Sequence, residues 1–448
     1  LENHETSTGL KREISFFTAL TVVMGTVIGS GVFFKPEAVY SATGTAGLGL
    51  LAWIIGGLIT ICGGLTTAEL SAAIPKTGGM VVYLQRAYGP LVGYLLGWAQ
   101  TIIYFPANIA ALSIIFATQA VNLMGLQETA TIPIAIAAAF LIIFINLLGT
   151  KKAGRLQSVA TVAKMVPLLL IIVFGLFNKG DVQVQLLPSS MTSGSAISKL
   201  GSGLVATLFA YDGWINVGAI AGEMKNPKKD LPKAIVFGLS AVMGVYVLIN
   251  LAYLSVMPAA SLGATPTPAA EVAQLLFGNA GGKIVTIGIL VSVFGTINGY
   301  AMTGIRVPFA MALNNELPFS RWFQKLNKHQ VPVNSALTLF IIALVMIFTG
   351  QYNQLTDLLI FVIWIFYTLV FIAVFILRKR EPDLIRPYKV PLYPIVPIIA
   401  IAGGLFIVLN TLLTQPINTA LGIFLTAIGL PIYFYKKRKR IHSTIEKN

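Results

Sequence analysis

Apolar runs of about twenty residues, separated by short polar connections, recur along the whole chain. A helix needs roughly that many residues to cross about 30 Å of hydrocarbon. The pattern divides into twelve spans, at about 14–41, 46–73, 89–122, 131–149, 155–177, 199–222, 233–257, 282–312, 333–349, 355–377, 394–413 and 416–435. Period-two alternation is absent, which excludes a β-barrel. The pattern predicts an all-α membrane protein with twelve transmembrane helices. Two connections are themselves patterned. Ala264 to Phe277 opens with prolines and continues with apolar residues at helical spacing, predicting a short amphipathic helix over the outer mouth. Pro75 to Gly89 reads as a turn and an interfacial helix, with Tyr83, Arg86 and Tyr88 at headgroup level.

Two spans are interrupted near their middles. Span 1 carries Ile28-Gly29-Ser30-Gly31 inside an apolar run, and span 6 carries Phe209-Ala210-Tyr211-Asp212-Gly213-Trp214. Backbone groups freed at that depth cost several kcal/mol unless they face protein or water. Taken alone, the first interruption is also compatible with Gly25 and Gly29 as a small-residue packing face on a straight helix. The second favours a break. Asp212 is costly on a lipid-facing helix, so it is expected to line a cavity or to cap an unwound turn. The breaks lie five spans apart, an odd offset, so the two broken helices run in opposite directions, as two inverted five-helix repeats require. Half-helix N-termini suit a carboxylate and freed carbonyls suit an ammonium, so a zwitterion fits the pair.

The composition agrees, with 56% hydrophobic and 10% charged residues against roughly 25% charged in soluble domains. The net charge of +15 is a matter of topology. With a cytoplasmic N-terminus, 26 of the 31 lysines and arginines fall in inside segments, three outside (Lys179, Lys199, Lys283) and two within spans (Lys35, Lys164). That asymmetry predicts both termini in the cytoplasm, with the basic segments facing anionic lipid and not nucleic acid. Cys62 is the single cysteine, and His4, His329 and His442 lie in tails or loops. No disulfide, metal site, cofactor or catalytic constellation is expected. The polar segment Leu1 to Arg12 is not expected to be a cleavable signal, because the apolar stretch after it is too long.

Lys164 lies deep in span 5, in what reads as an unbroken helix. Snorkelling is a poor account of a lysine at that depth, so an ammonium facing carbonyls in the bundle interior is expected. It substitutes for a bound Na⁺ or couples a proton, since burial lowers a lysine pKa. Tyr246 brings a hydroxyl to the middle of span 7, either toward the same region or onto neighbouring backbone.

Four motifs in order, Val27 to Phe33, Pro75 to Gly79, Phe209 to Trp214 with Glu223 to Ile235, and Arg386 to Pro391, resemble the L-amino acid transporters of the amino acid-polyamine-organocation superfamily. The resemblance implies the five-plus-five inverted-repeat fold with spans 1 and 6 broken. It also implies a substrate site between them and sodium-independent exchange of neutral amino acids. The amides of Ser30 and Gly31 would take the substrate carboxylate, and the carbonyls of Ile28, Phe209 and Ala210 the amino group. Gly29, Asp212, Gly213 and Tyr246 complete the candidate site. Phe209 resembles the aromatic gate, and Lys164 the fifth-span lysine that stands where sodium-coupled relatives hold a cation. Ser292, Thr296 and Asn298 are weaker candidates to hold that ammonium. The loop from Asn122 to Ala130 lacks the cysteine through which animal members join a heavy subunit, so no such partner is expected.

The function this implies is antiport of small neutral L-amino acids, of the alanine, serine and cysteine type, across a bacterial cytoplasmic membrane by alternating access. A proton-coupled symporter using Lys164 is the rival within the fold; a channel or a non-transporting sensor is more remote. The expected organisation is a cytoplasmic tail at 1–13, a first repeat at 14–178, a second at 199–378, a loop with spans 11 and 12 at 379–435, and a basic tail at 436–448.

Overall fold

The computed structural model describes residues 15–75, 79–178, 193–215, 217 and 224–445. The tails, Lys76 to Gly78, Lys179 and the second half of span 6, including Asn216, Gly218 and Glu223, lie outside the described residues. Nine helices among the described residues are long and apolar enough to cross a membrane. Span 1 makes a tenth as a bent pair, Phe16–Val27 and Gly31–Thr43, with 41° between its halves. The shorter apolar helices Ala196–Ala210 and Val333–Thr349 stand at the sixth and ninth expected spans.

Packing between spans follows a rule of five. Span 1 packs on span 7 and span 2 on span 6; span 3 on 9 and span 4 on 8; span 3 on 10 and span 5 on 8; span 2 on 10 and span 5 on 7. Each of these contacts has a counterpart five spans on, while pairs 1–6, 2–7, 3–8 and 4–9 are their own counterparts. Such pairing is what two five-helix units related by a pseudo-two-fold give. The closest approaches rest on small residues. On span 2, Ala46–Ala73, a methyl added at Gly57 would stand 2.5 Å from Met243 of span 7, and one at Gly56 2.4 Å from Thr207 of span 6. Without a hydrophobic driving force inside lipid, such approach is what supplies dispersion contact between helices.

Three segments bear on the sequence reading. The amphipathic segment is helical as expected: it runs from Pro268 and is divided from span 8 by a kink at Gly278, whose φ of +68° breaks helical geometry. The helix Met80–Tyr88 forms as expected but packs inward. Tyr83 is 1% exposed, Tyr88 donates to the Leu369 carbonyl at 2.8 Å, and Arg86 pairs with Glu381. Its aromatic residues therefore serve span 10, Tyr352–Arg380, and not the headgroups. Span 5 is loosened at Lys164, between Thr150–Ala163 and Met165–Leu176. Pro167 has no N–H to return to the preceding turn, which frees a helical hydrogen bond at that point.

The Arg386 to Pro391 motif finds a structural role on the expected cytoplasmic side. Glu69 of span 2 is fully buried and accepts from Arg378 at 2.8 and 2.6 Å. It also accepts from the amide of Val390 at 2.8 Å and lies 3.4 Å from Arg386. A buried carboxylate holds there because every lone pair is used.

Candidate substrate site

The break in span 1 leaves helical ends facing each other. Val27 closes the first half and Gly31 opens the second, with Ser30 at the cap. The first amides of a helix have no intrahelical partner. Those of Gly29, Ser30, Gly31 and Val32 donate to no backbone carbonyl among the described residues. Free donors with the helix dipole behind them are the kind of end that suits an anion.

The break in span 6 abuts it. A methyl on Gly31 would stand 2.4 Å from the Ala210 Cα, so the two breaks touch backbone to backbone. Gly213 has a φ of +103°, and a methyl there would meet the Thr26 carbonyl at 3.0 Å; no other residue adopts that conformation at that spacing without strain. Thr26 donates to the Gly213 carbonyl at 3.2 Å. Tyr246 is fully buried, and its hydroxyl lies 2.9 Å from the carbonyls of both Val27 and Ala210. The Tyr246 hydroxyl thus bonds to backbone, and the backbone is that of both breaks. Its one proton serves one carbonyl at a time.

Lys164 is fully buried and donates to the carbonyls of Gly25 at 2.5 Å and Ile28 at 2.6 Å. Span 5 thus supplies a positive charge to the end of the first half-helix, where the dipole is negative. The Ile28 carbonyl, considered above for the substrate amino group, accepts from Lys164 here, while the Phe209 carbonyl accepts from the Asp212 amide at 3.1 Å. Ser292, Thr296 and Asn298 do not hydrogen-bond Lys164. Thr296 packs against Gly29, and Asn298 joins spans 4 and 5 by accepting from Asn146 and donating to the Ala153 carbonyl.

Asp212 sits in a cage of phenols. Its carboxylate accepts from Tyr104 at 2.6 Å, Tyr367 at 2.7 Å and Tyr300 at 3.3 Å, from spans 3, 10 and 8. Tyr104 ends a single π-helical turn, Gln100–Tyr104, between two α-helical parts of span 3. The extra residue in such a turn rotates the following side chains relative to a continuous α-helix. Sequence reasoning singled out Asp212 but none of its three partners, because tyrosines on separate spans have no common spacing.

Above the breaks, Tyr352 at the start of span 10 lies edge-on to Phe209 with centroids 5.8 Å apart. Its hydroxyl is 3.2 Å from the Ser30 hydroxyl. Lys35, left unassigned by the sequence pattern, is buried beside them.

The arrangement predicts a difference between neighbours. Ser30→Ala loses one side-chain hydrogen bond and keeps its amide, and is expected to retain amino acid binding within about fivefold, the loss of roughly half a kcal/mol to one kcal/mol. Gly31→Val drives a branched side chain into Ala210 backbone and is expected to abolish binding. Scintillation proximity binding on purified protein measures both, and equal losses would show that the Ser30 side chain matters as much as the close approach.

The sequence pattern of the amino acid permease family matches residues 14–433. The chain is 43% identical over 441 residues to the serine/threonine exchanger SteT of Bacillus subtilis (strain 168), covering 98% of this chain and 99% of that one. It is 30% identical to the human Asc-type amino acid transporter 1, over 98% of this chain and 85% of the relative. With the human cystine/glutamate transporter it shares 29% identity, over 95% and 85%. A polytopic bundle with two facing helix breaks and these relatives fixes the assignment: the chain belongs to the amino acid permease family of the amino acid-polyamine-organocation superfamily, and is a membrane amino acid transporter and not an enzyme.

Proposed function

We propose that this protein exchanges small neutral L-amino acids one for one, without sodium, by alternating access across a bacterial cytoplasmic membrane with both termini inside. Alanine, serine and cysteine are the substrates of the expected size, and the serine/threonine exchanger among the relatives adds threonine. The observation that carries the reading is the Lys164 ammonium, 2.5 and 2.6 Å from two carbonyls of the broken span. A resident cation there does the electrostatic work of a bound ion, so none need be taken up with substrate. In this reading the amides of Gly29 to Gly31 take the carboxylate. The amino group takes carbonyls of the two breaks, and Phe209 with Tyr352 closes over the side chain. The carrier needs no disulfide-linked heavy subunit, since the loop that would supply the cysteine has none.

Proton coupling through Lys164 is the rival reading within the same fold. Proteoliposomes separate the two. Labelled serine should enter vesicles preloaded with serine or alanine, equally in sodium and in choline, and should not enter empty ones. Uptake into empty vesicles driven by a pH gradient would instead establish a symporter, and uptake without saturation a channel. Strong competition by arginine or leucine would overturn the small-neutral assignment.

A further inference from the structure

Lys35 belongs to none of the arrangements so far. It lies on the second half of span 1, one helical turn beyond Gly31, and is 1% exposed. Its ammonium donates to Asn353 Oδ1 at 2.9 Å and to Thr356 Oγ1 at 2.8 Å, both in the first turns of span 10. The same ammonium lies 5.2 Å from the ring centroid of Phe209 and 4.9 Å from that of Tyr352. No carboxylate stands within ion-pair distance of it among the described residues. Lysines are almost never fully buried unless paired; this one is held by two neutral oxygens and two aromatic faces, with Glu37 and Asp357 attracting it from beyond contact.

The residues it gathers come from three elements that meet above the substrate breaks. Span 1 supplies Lys35 and Phe34, span 6 supplies Phe209, and span 10 supplies Tyr352, Asn353 and Thr356. Phe34 and Phe209 both lie edge-on to Tyr352, and the Ser30 hydroxyl reaches the Tyr352 hydroxyl. This is the end of the site away from the N-terminus. For that end to open, the halves of spans 1 and 6 must leave span 10, and the charged contacts of Lys35 part as they do. Hydrogen bonds with an ionised donor are about twice as strong as neutral ones, and a desolvated cation over aromatic faces adds to them.

An apolar residue could pack the same junction, but it would not suit both states. Opening brings the position to water, where an ammonium regains its hydration and an aliphatic side chain loses burial. A lysine keeps the closed and open states close in free energy, as a carrier that passes through both requires.

We propose that Lys35 is the latch of the outer gate. It is a positioning residue whose ammonium holds the outer halves of spans 1 and 6 against span 10 over the bound amino acid. The inference rests on the exchange reading and on its orientation in the membrane.

The test compares Lys35→Met and Lys35→Arg with the unaltered protein in lipid nanodiscs and proteoliposomes. Three readouts are taken: serine binding, serine counterflow, and hydrogen–deuterium exchange over Gly31–Thr43 and the first turns of span 10. Lys35→Met is expected to bind serine within about threefold of the unaltered protein, to lose at least tenfold in counterflow, and to exchange deuterium faster at both outer segments. Lys35→Arg should recover most of the counterflow. Counterflow within twofold of the unaltered protein, or lost counterflow with unchanged deuterium exchange, overturns the latch. So does loss of serine binding in a monodisperse Lys35→Met protein, since Lys35 would then be part of the binding site. Should Lys35→Met fail to fold, Asn353→Ala and Thr356→Val remove its acceptors and are read in the same way. Absence of counterflow in the unaltered protein would defeat the exchange reading, while the deuterium comparison would still decide the latch.

Discussion

Replacing Lys164 by alanine should lower serine counterflow by at least about 100-fold while leaving a monodisperse, folded protein. The ammonium makes two charge-assisted hydrogen bonds to the carbonyls of Gly25 and Ile28, each worth about 1.5 to 3 kcal/mol. Their loss removes about 3 to 6 kcal/mol from the arrangement that holds the span 1 break, and about 1.4 kcal/mol is a factor of ten. The two carbonyls are also left without their donor in a buried site. The effect should appear in serine binding as well as in turnover, because the amides of Gly29 to Gly31 keep their aim only while the preceding half-helix keeps its end. Size-exclusion profiles and counterflow on the same preparation check this. Near-normal exchange in Lys164→Ala would mean that the break is held by span 6 and Tyr246 alone.

Asp212→Ala is expected to destabilise the protein by at least about 3 kcal/mol, since it leaves three buried phenols without their acceptor at about 1 to 3 kcal/mol each. Tyr104, Tyr300 and Tyr367 reach Asp212 from spans 3, 8 and 10, so the loss unfastens span 6 from three others at one point. The single tyrosine variants should rank by bond length. Tyr104→Phe and Tyr367→Phe, which remove contacts of 2.6 and 2.7 Å, should each cost more than Tyr300→Phe, which removes one of 3.3 Å. Thermal unfolding in detergent, followed by intrinsic fluorescence, gives the order. If Asp212→Ala melted with the unaltered protein, the cage would be a packing coincidence. Equal effects in all three tyrosine variants would remove the argument from bond length.

Much of the architecture was legible because membrane insertion writes itself in local composition. A span is a run of apolar residues of a given length, and a break shows as glycine and polar groups where backbone cannot be left unpaired. Ile28 to Gly31 and Phe209 to Gly213 were therefore found from the residues alone, and Lys164 from its depth in an apolar run. The segment from Ala264 is legible as a helix for the same reason, but the kink at Gly278 that divides it from span 8 is not, since an isolated glycine in a helical pattern signals neither a kink nor its direction. The loosened turn at Lys164 was hidden in the same way, although Pro167 three residues on was its cause.

The partners of these residues were not legible. Lys35 reads from sequence only as a lysine within span 1; the approach of Asn353 and Thr356, more than three hundred residues away, makes it a buried, hydrogen-bonded cation. Glu69 with Arg378, and Asp212 with its three tyrosines, are likewise pairings across distant spans. The sequence by itself determined the number of spans, the two breaks and the residues whose chemistry is costly in lipid, because each follows from the price of placing one segment in hydrocarbon. Which oxygens satisfy Lys164, which phenols surround Asp212 and which helix ends close over the site were decided by tertiary structure alone. Those pairings depend on how the two five-helix units pack against each other, and no local pattern carries that information.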